Sequence, residues 1–268
     1  MSRPAVTVGI VSWNAAADLE RCLDALPDGL DGLPAQIVVV DNGSKDATAG
    51  VLARHPEAEA IVNPENRGLT PGRNQVLERV QGEHVLMLDA DTRPRPGSIR
   101  TLVEYLQAHP HVGLVGAKLL DPDGSLQLSC RTFPPVLLPF MRRPPLDRIF
   151  EHRRTVNRHL MRDYDHARPR RVDWVLGACQ CYRASLLPAL GRYDERIFSH
   201  GGEDTDWCLR VWKAGSEVHY VPAAEVVHAY GHFTRRNPLS KQARRGLVDY
   251  FYMQRKHRDA RHGFAAGR

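Results

Sequence analysis

Residues 83–94, EHVLMLDADTRP, constrain the fold more than any other stretch of the sequence. The apolar run at residues 85–88 predicts a buried strand, which ends at two carboxylates, Asp89 and Asp91. Open α/β sheets bind ligands beyond the carboxyl ends of such strands. Two neighbouring carboxylates repel each other, and a hard divalent cation that joins them to a diphosphate relieves the repulsion. The alternative interpretation is a strand followed by an acidic turn.

Strand and helix patterns alternate along the first 120 residues. Short apolar runs predict strands at residues 6–11, 36–40, 60–62, 85–88 and 112–120, with helical patterns between them. This alternation predicts an α/β fold in which a mostly parallel sheet has helices on both faces. The sequence lacks the glycine-rich dinucleotide and P-loop motifs, so a bound nucleotide would be held by carboxylates and a metal ion.

Charged residues also follow the second and third predicted strands. Asp41 ends the second strand, where a carboxylate suits a nucleobase or a ribose hydroxyl, and an Asx turn explains it equally well. Residues 63–74, NPENRGLTPGRN, predict a loop that leads into a helix at residues 75–80. The arginines of this loop, Arg67 and Arg73, would face a diphosphate or carboxylates, or remain in solvent.

A second group of acids lies in the C-terminal half. Residues 202–210 predict a helix whose first turn carries Glu203 and Asp204, with a third acid two residues later. Burial of such a cluster raises the pKa of a carboxyl group and suits it to general base catalysis. His228 ends a predicted strand, where it is either a hydrogen-bonded structural residue or a third metal ligand beside Asp91.

The formal charge of +6 is concentrated in residues 142–171 and 235–268. Residues 134–171 predict a basic insertion over the site, and residues 241–258 predict a helix with an apolar side. Both suit an anionic membrane surface or a lipid-phosphate acceptor, and the alternatives are a linker and a helix packed on its own domain. Nucleic acid is a poorer fit, because no nucleic-acid-binding motif is present and acids end the strands.

Length and composition fit one sizeable α/β core. The chain has 268 residues, of which 42% are hydrophobic and 25% charged. No apolar run approaches the roughly 20 residues of a membrane span, and the N-terminus lacks a signal-peptide pattern. The five cysteines have no disulfide-framework spacing. We therefore expect free thiols and a cytoplasmic protein, peripheral at the inner face of the membrane if the basic segments bind lipid.

A series of motifs resembles the inverting family 2 glycosyltransferases with the A-type fold, particularly the rhamnosyltransferase-like members. The motifs, in chain order, are SWN (12–14), VVVDNGSKD (38–46), NPENRGLTPGRN (63–74), LDADT (88–92), KLLDPDGSLQLSCRTFP (118–134), GGEDTDWCLR (201–210) and HAYGH (228–232). The resemblance covers residues 6–233 and implies a single Rossmann-like nucleotide-diphospho-sugar transferase domain with a mixed, mostly parallel central sheet.

The resemblance also implies a domain organisation and ligands. Residues 1–117 would form the nucleotide-sugar-binding half of the catalytic domain. Residues 118–234 would form the acceptor-binding half, with the basic insertion at 134–171, and residues 235–268 a basic helical tail. The donor would be a nucleotide-diphosphate sugar, with dTDP-rhamnose the first choice. The cofactor would be Mg²⁺ or Mn²⁺, and the acceptor a glycan or a lipid-linked molecule.

Residue roles follow from the positions that match the motifs. Asp204 would be the catalytic base with Glu203 beside it, and Asp91 and His228 would hold the metal ion. The expected donor-binding residues are Asn14, Asp41, Arg67, Arg73, Asn74 and Asp89. Open alternatives are a nucleotidyltransferase, an inactive sugar-nucleotide-binding protein and a basic nucleic-acid-binding protein.

Overall fold

The fold is known from a computed structural model, which describes residues 3–133, 149–150, 153–197, 202–229 and 241–258. Of the predicted insertion at 134–171, residues 134–148 and 151–152 lie outside the described residues. Residues 230–232 of the motif HAYGH also lie outside them. The predicted C-terminal helix lies within them.

Buried Val, Ile and Leu residues form the central strands. The strands are β1 (Val6–Ser12), β2 (Ala35–Asp41), β3 (Ala58–Val62), β4 (His84–Asp89), β5 (Thr92–Pro94), β6 (Val112–Leu120), β7 (Leu126–Gln127), β8 (Cys130–Arg131), β9 (Arg170–Arg171), β10 (Trp174–Val175), β11 (Cys179–Arg183) and β12 (Glu217–His228). Ten of the described strands form one sheet, with β3-β2-β1-β4-β11-β6-β12-β5 as its main path. The pairs among β3, β2, β1 and β4 are parallel, as is β6 with β12, whereas β11 runs antiparallel between β4 and β6.

Helices cover both faces of this sheet. The helices are α1 (Ala16–Leu30), α2 (Thr48–Arg54), α3 (Leu69–Leu77), α4 (Ser98–Ala108), α5 (Arg154–His159), α6 (Leu187–Leu190), α7 (Gly202–Lys213) and α8 (Lys241–Lys256), with a 3-10 turn at Ala184–Leu186. One apolar cluster joins the sheet to α1 and α4, and the other joins it to α3 and α7. In β4, Leu86 belongs to the first cluster and Met87 to the second, because successive side chains of a strand point to opposite faces.

Two element predictions are corrected by the structure. The segment predicted as a loop before residue 75 is helical from Leu69, so Arg73 and Asn74 lie on α3. Pro71 is in the first turn of this helix, where the backbone needs no N–H donor. The sequence predicts a last strand at residues 217–221 and a separate run at 226–228, but β12 continues through Pro222 to His228, and its pairing with β6 shifts register between Val221 and Glu225.

The C-terminal helix α8 packs on its own domain. The Tyr252 hydroxyl and the Lys256 ammonium both donate to Asp194 Oδ2 over 2.8 Å, and His257 Nε2 lies 2.7 Å from Asp206 Oδ1. The opposite side of the helix exposes Val248. Within the described residues, no helix combines the length and apolar character that a bilayer crossing requires.

Candidate functional site

The carboxyl ends of three parallel strands meet at one edge of the sheet. Ser12 at the end of β1 is in register with Asp41 at the end of β2, and Val11 is in register with Asp89 at the end of β4. We call this side of the molecule the donor edge. Its polar side chains lie where an open α/β sheet binds ligands.

Asp89, Asp91 and His228 form a cluster at the donor edge. One ligand atom from each lies within 4.8 Å of the other two. His228 reaches the cluster because it pairs with Thr92 across β12 and β5, and the Ala229 N–H donates to the Asp91 carbonyl oxygen over 3.0 Å. The structure therefore brings together the two predicted carboxylates and the predicted imidazole.

Hydrogen bonds of Gln127 orient the His228 ring. The amide Nε2 of Gln127 donates to Asp121 Oδ1 and to the His228 carbonyl oxygen, both over 2.7 Å. Its Oε1 must therefore be the atom that lies 2.9 Å from His228 Nδ1, so that ring nitrogen carries a proton. In the neutral ring, the lone pair of Nε2 then faces Asp91 Oδ1 at 3.5 Å.

This donor set fits a divalent cation. An imidazole lone pair and a carboxylate oxygen that face each other are both acceptors, and a cation between them satisfies both. Burial raises the pKa of Asp91, although His228 opposes the rise, and the nearby charge of Asp89 adds to it. The Asp89 and Asp91 side chains remain about one-third exposed, at 34% and 33%. Carboxylates with one imidazole, open to solvent, suit Mg²⁺ or Mn²⁺ bound together with a phosphate.

Arg73 connects this cluster to the second group of acids. Its guanidinium lies 3.3 Å from Asp89 Oδ1 and 2.9 Å from Asp204 Oδ1. Glu203 Oε1 lies farther away, at 3.8 Å. The Arg73 side chain is only 3% exposed. Of the alternatives that the sequence left open, the structure thus gives Arg73 carboxylate partners, Asp89 and Asp204, and its contact with a donor stays a prediction.

Glu203 and Asp204 are both buried at the start of α7, but their surroundings differ. Burial raises the pKa of Glu203 well above its usual range, and the charge of Asp204 adds to the rise. Burial also raises the pKa of Asp204, but the charge and hydrogen bond of Arg73 oppose it. Asp204 Oδ2 also accepts the Gly177 N–H over 2.7 Å. Arg73 and the Gly177 N–H therefore favour the ionised form of Asp204 more than that of Glu203.

Gly177 is a site residue that the sequence reasoning missed. A Cβ atom at this position would lie 1.9 Å from Asp204 Oδ1 and 2.8 Å from an Arg73 nitrogen. Only glycine lets the backbone come close enough for its N–H to hold the Asp204 carboxylate. The available signal was a glycine directly after the buried stretch VDWVL, since such a glycine often marks a close approach.

Loops at the ends of β1 and β2 are tied to each other. Asn14 has a positive φ of 48°, its Oδ1 accepts the Lys45 N–H over 2.8 Å, and its own N–H donates to Ser44 Oγ over 2.9 Å. Asp41 Oδ1 accepts the Ser44 N–H over 3.0 Å, so the side chain stabilises the turn that follows β2. The exposed Asn14 and the buried Asp41 thus lie at the donor edge, and their contact with a nucleotide stays a prediction.

The remaining predicted donor-binding residues have different environments. Arg67 is exposed, and its N–H donates to Asn42 Oδ1 over 3.0 Å. Asn74 is buried; its amide donates to the Tyr193 carbonyl oxygen over 3.0 Å and to Glu195 over 2.9 Å. The Asn74 Oδ1 also accepts the Tyr193 N–H over 2.7 Å. Donor binding by Arg67 and by Asn74 stays a prediction, and the bonds of Asn74 also join α3 to residues 193–195.

Comparison with protein families gives an independent result. The family model for Glycosyl transferase family 2 matches residues 7–176. The N-acetylglucosaminyl-diphospho-decaprenol L-rhamnosyltransferase of Mycobacterium tuberculosis is 30% identical over 267 aligned residues, which cover 92% of this chain and 83% of that protein. The pre-mycofactocin glycosyltransferase of the same organism is 29% identical over 238 residues, which cover 83% of this chain and 42% of that protein.

Solved structures share the fold. The mannosyltransferase PcManGT from Pyrobaculum calidifontis, in complex with GDP-Man and Mn²⁺, superposes with a TM-score of 0.63 at 21% identity over 95% of this chain. GalNAc-T7 with UDP, GalNAc and Mn²⁺ gives a TM-score of 0.62 at 17% identity over the whole chain. The chain spans 65% and 52% of the lengths of these two structures. The likenesses confirm the predicted A-type fold.

Proposed function

Because this chain belongs to glycosyl transferase family 2, we propose that it is a metal-dependent, inverting transferase that moves a rhamnosyl group to a lipid-linked glycan. The observation that carries the proposal is Arg73, which contacts Asp89 of the metal-type cluster and Asp204 of the second acid group. The Arg73 side chain thereby holds the proposed site of the leaving diphosphate at a fixed position relative to the proposed base, Asp204.

The donor diphosphate would bind at the cluster of Asp89, Asp91 and His228. These residues would hold Mg²⁺ or Mn²⁺, which when bound stabilises the negative charge that develops on the departing nucleoside diphosphate. Gln127 keeps the Nε2 lone pair of His228 directed at the cluster. The loops that carry Asn14 and Asp41 would contact the nucleoside, since they lie at the neighbouring strand ends.

Asp204 would act as the general base. The acceptor oxygen forms a bond to the anomeric carbon as the bond to the diphosphate breaks on the opposite face, and the hydroxyl proton moves to Asp204. Attack from the face opposite the leaving group inverts the anomeric centre. The guanidinium of Arg73 opposes the rise in the pKa of Asp204 and supports this role, whereas burial and the charge of Asp204 raise the pKa of Glu203 well above its usual range and make it the poorer base.

The relative from Mycobacterium tuberculosis supports the choice of sugar and acceptor. Its name gives L-rhamnose as the transferred sugar and an N-acetylglucosaminyl-diphospho-decaprenol as the acceptor. Since the match covers 92% of this chain, we propose the same classes here: a dTDP-rhamnose donor and a polyprenyl-diphosphate-linked sugar acceptor. Residues 118–234 would bind that acceptor, and residues 1–117 the donor.

A lipid-linked acceptor requires the enzyme to work at a bilayer, and α8 offers a suitable surface. Arg245, Val248, Phe251 and Arg255 are exposed at helical spacing, so apolar and basic side chains share one face. We propose that this face contacts anionic lipid at the cytoplasmic side of the membrane. Vesicles with anionic lipid should sediment the protein, and Phe251→Asp should reduce the bound fraction. Equal binding to neutral vesicles would contradict the electrostatic part of this proposal.

Transfer activity is the direct test of the proposed function. The full chain is incubated with a polyprenyl-diphospho-N-acetylglucosamine acceptor and, in turn, dTDP-L-rhamnose, UDP-N-acetylglucosamine or GDP-mannose, with MnCl₂ or with EDTA. We expect product only from dTDP-L-rhamnose and only with metal, and NMR of the product should show an inverted anomeric centre. Transfer from another donor, or with retention of configuration, would contradict the substrate or the mechanism. Transfer in EDTA would contradict the metal role.

A further inference from the structure

A second cluster of metal-binding side chains lies at the end of the sheet opposite the donor edge. His111 precedes β6, and Glu217 and His219 lie at the start of β12. One ligand atom from each of these residues lies within 4.8 Å of the other two. The backbone already joins the two segments, because the Glu217 N–H donates to the His111 carbonyl oxygen over 3.0 Å.

One oxygen of Glu217 is shared by both imidazoles. Its Oε2 lies 2.8 Å from His219 Nε2 and 4.0 Å from His111 Nε2. The other oxygen, Oε1, lies 3.6 Å from Arg171 Nε. Arg171 thus balances part of the carboxylate charge from one side and leaves Oε2 to the two rings.

Tyr105 holds the His219 ring in place from the other side. Its hydroxyl lies 2.9 Å from His219 Nδ1. A hydroxyl both donates and accepts, so it supports His219 with the proton on either nitrogen. When Nδ1 carries the proton and donates to Tyr105, the Nε2 lone pair is available to a metal ion. Such a hydrogen bond to the second nitrogen is the usual support of a metal-bound histidine.

We propose that His111, Glu217 and His219 form a second metal site, which binds Zn²⁺ through two imidazole nitrogens and one carboxylate oxygen. Two nitrogens and one oxygen suit zinc, whereas Mg²⁺ and Mn²⁺ prefer oxygen ligands. A tetrahedral zinc ion brings its ligand atoms to about 3.4 Å from one another, so the contact of 2.8 Å between Glu217 and His219 must lengthen and the distance of 4.0 Å from Glu217 to His111 must shorten. The His111 side chain is 59% exposed and free of core packing, so its rotation can supply that movement.

Three further side chains surround the proposed site. Tyr105 and Arg171 contact its ligands, and the His109 ring packs against that of His111. Zinc bound here would join the start of β6 to the start of β12, and so would stabilise the folded chain in proportion to the zinc concentration.

The test must locate the ion, because the chain has 13 histidines. The full chain is stripped with a chelator and titrated calorimetrically with ZnCl₂, and its melting temperature is followed in parallel. We expect a stoichiometric site, and a rise in melting temperature of about 5–10 °C at a hundredfold excess over the dissociation constant. His111→Ala should abolish both effects, and Tyr105→Phe should weaken zinc binding about tenfold while retaining the stoichiometry.

Two control variants separate this site from other zinc binding. His55→Ala removes an imidazole that contacts Asp24 and Glu57 on another surface, and it should change nothing. Asp91→Asn disables the donor-edge cluster and should also leave the high-affinity zinc site intact. If zinc binding persists in His111→Ala, or is lost in Asp91→Asn instead, the proposal is wrong. No stoichiometric zinc binding by the unaltered chain would also overturn it. None of these results bears on rhamnosyl transfer.

Discussion

β12 has a three-residue cluster of potential metal ligands at each end, and the two clusters differ in composition. At the carboxyl end, His228 lies with Asp89 and Asp91; at the amino end, Glu217 and His219 lie with His111. His219 is in register with Val115 of β6 and Val227 with Leu120, so about 20 Å of sheet separates the two clusters. One cluster has two carboxylates and one imidazole, and the other has the reverse, so the first suits a hard cation and the second suits zinc.

The surroundings of the two clusters differ as well. Arg73 contacts Asp89 of the donor-edge cluster and also Asp204, so its guanidinium connects the potential metal site to a potential base. The opposite cluster is supported by Tyr105 and Arg171. Among the described residues, its contacts are to Tyr105, His109 and Arg171, and none of these is a carboxylate. Ligand geometry alone therefore does not make a catalytic site; its connection to a second reactive group does.

The largest effect on transfer activity should come from Asp91→Asn, which tests whether the clusters at the two ends of β12 are independent. Loss of one carboxylate removes a ligand and leaves His228 without the group that it faces. Calorimetry should show that nucleotide binding no longer depends on Mn²⁺, and transfer should stop. His111→Ala is the reciprocal variant and should leave both properties unchanged. If either variant altered both clusters, the comparison between the two ends would fail.

The next largest effect should come from Asp204→Asn, which tests the link from the donor edge to a base. Removal of a general base lowers turnover by about 10²–10⁴-fold, while the dissociation constant of the donor should change little. Steady-state kinetics and nucleotide titration measure the two quantities. Glu203→Gln is the matched control, because it removes the neighbouring buried carboxyl group and retains its shape. A larger loss in Glu203→Gln than in Asp204→Asn would reverse the assignment.

Asp206→Asn tests a carboxylate of the same helix that serves stability instead. Burial raises its pKa, but His257, Arg210 and Lys256 outweigh that effect and lower it from 3.8 to about 2. A lowered carboxyl pKa stabilises the fold above the unfolded value and loses that contribution as the pH falls through about 2. At pH 7 the variant should therefore lose about 2.5 kcal/mol of unfolding free energy, and the deficit should shrink from pH 5 toward pH 2.

Urea denaturation at several pH values measures this deficit. Asp18→Asn is the control, because Asp18 forms an exposed pair with Arg21 and such pairs contribute at most about 1 kcal/mol. A deficit that stayed constant down to pH 3 would show that the charge of Asp206 is not its cause. Zinc affinity at the opposite end of the sheet should be unchanged, since α7 does not supply a ligand there.

Local patterns predicted the strongly periodic elements. The strand Val112–Leu120 has the predicted bounds, because apolar spacing and burial agree along it. The acids at the end of β4 were also predicted from the strand pattern. The predicted start of α3 at residue 75 was wrong, because Pro71 and several turn-forming residues resemble a loop. The first turn of a helix accepts proline, so α3 begins at Leu69.

Local sequence patterns could not predict contacts between residues that are far apart in the sequence. Arg73 and Asp204 are separated by 131 positions, and their pairing depends on how α3 and α7 pack on one face of the sheet. Gly177 binds Asp204 through its backbone N–H, so no side chain in the sequence indicates its role. The zinc-type cluster combines His111 with residues more than a hundred positions later, and sequence spacing gave no reason to group them.

The smallest effect on donor binding should come from substitutions of Asn14, which test how the loops after β1 and β2 are held together at the donor edge. Asn14→Ala loses the hydrogen bond to the Lys45 N–H and places alanine at a φ of 48°, whereas Asn14→Gly loses only the hydrogen bond. We expect a loss of about 1 kcal/mol in unfolding free energy for glycine and about 2 kcal/mol for alanine. Donor affinity should fall several-fold in both, and zinc affinity should stay constant. Equal stability of the two variants would mean that the hydrogen bond, and not the backbone conformation, is what asparagine contributes between these loops.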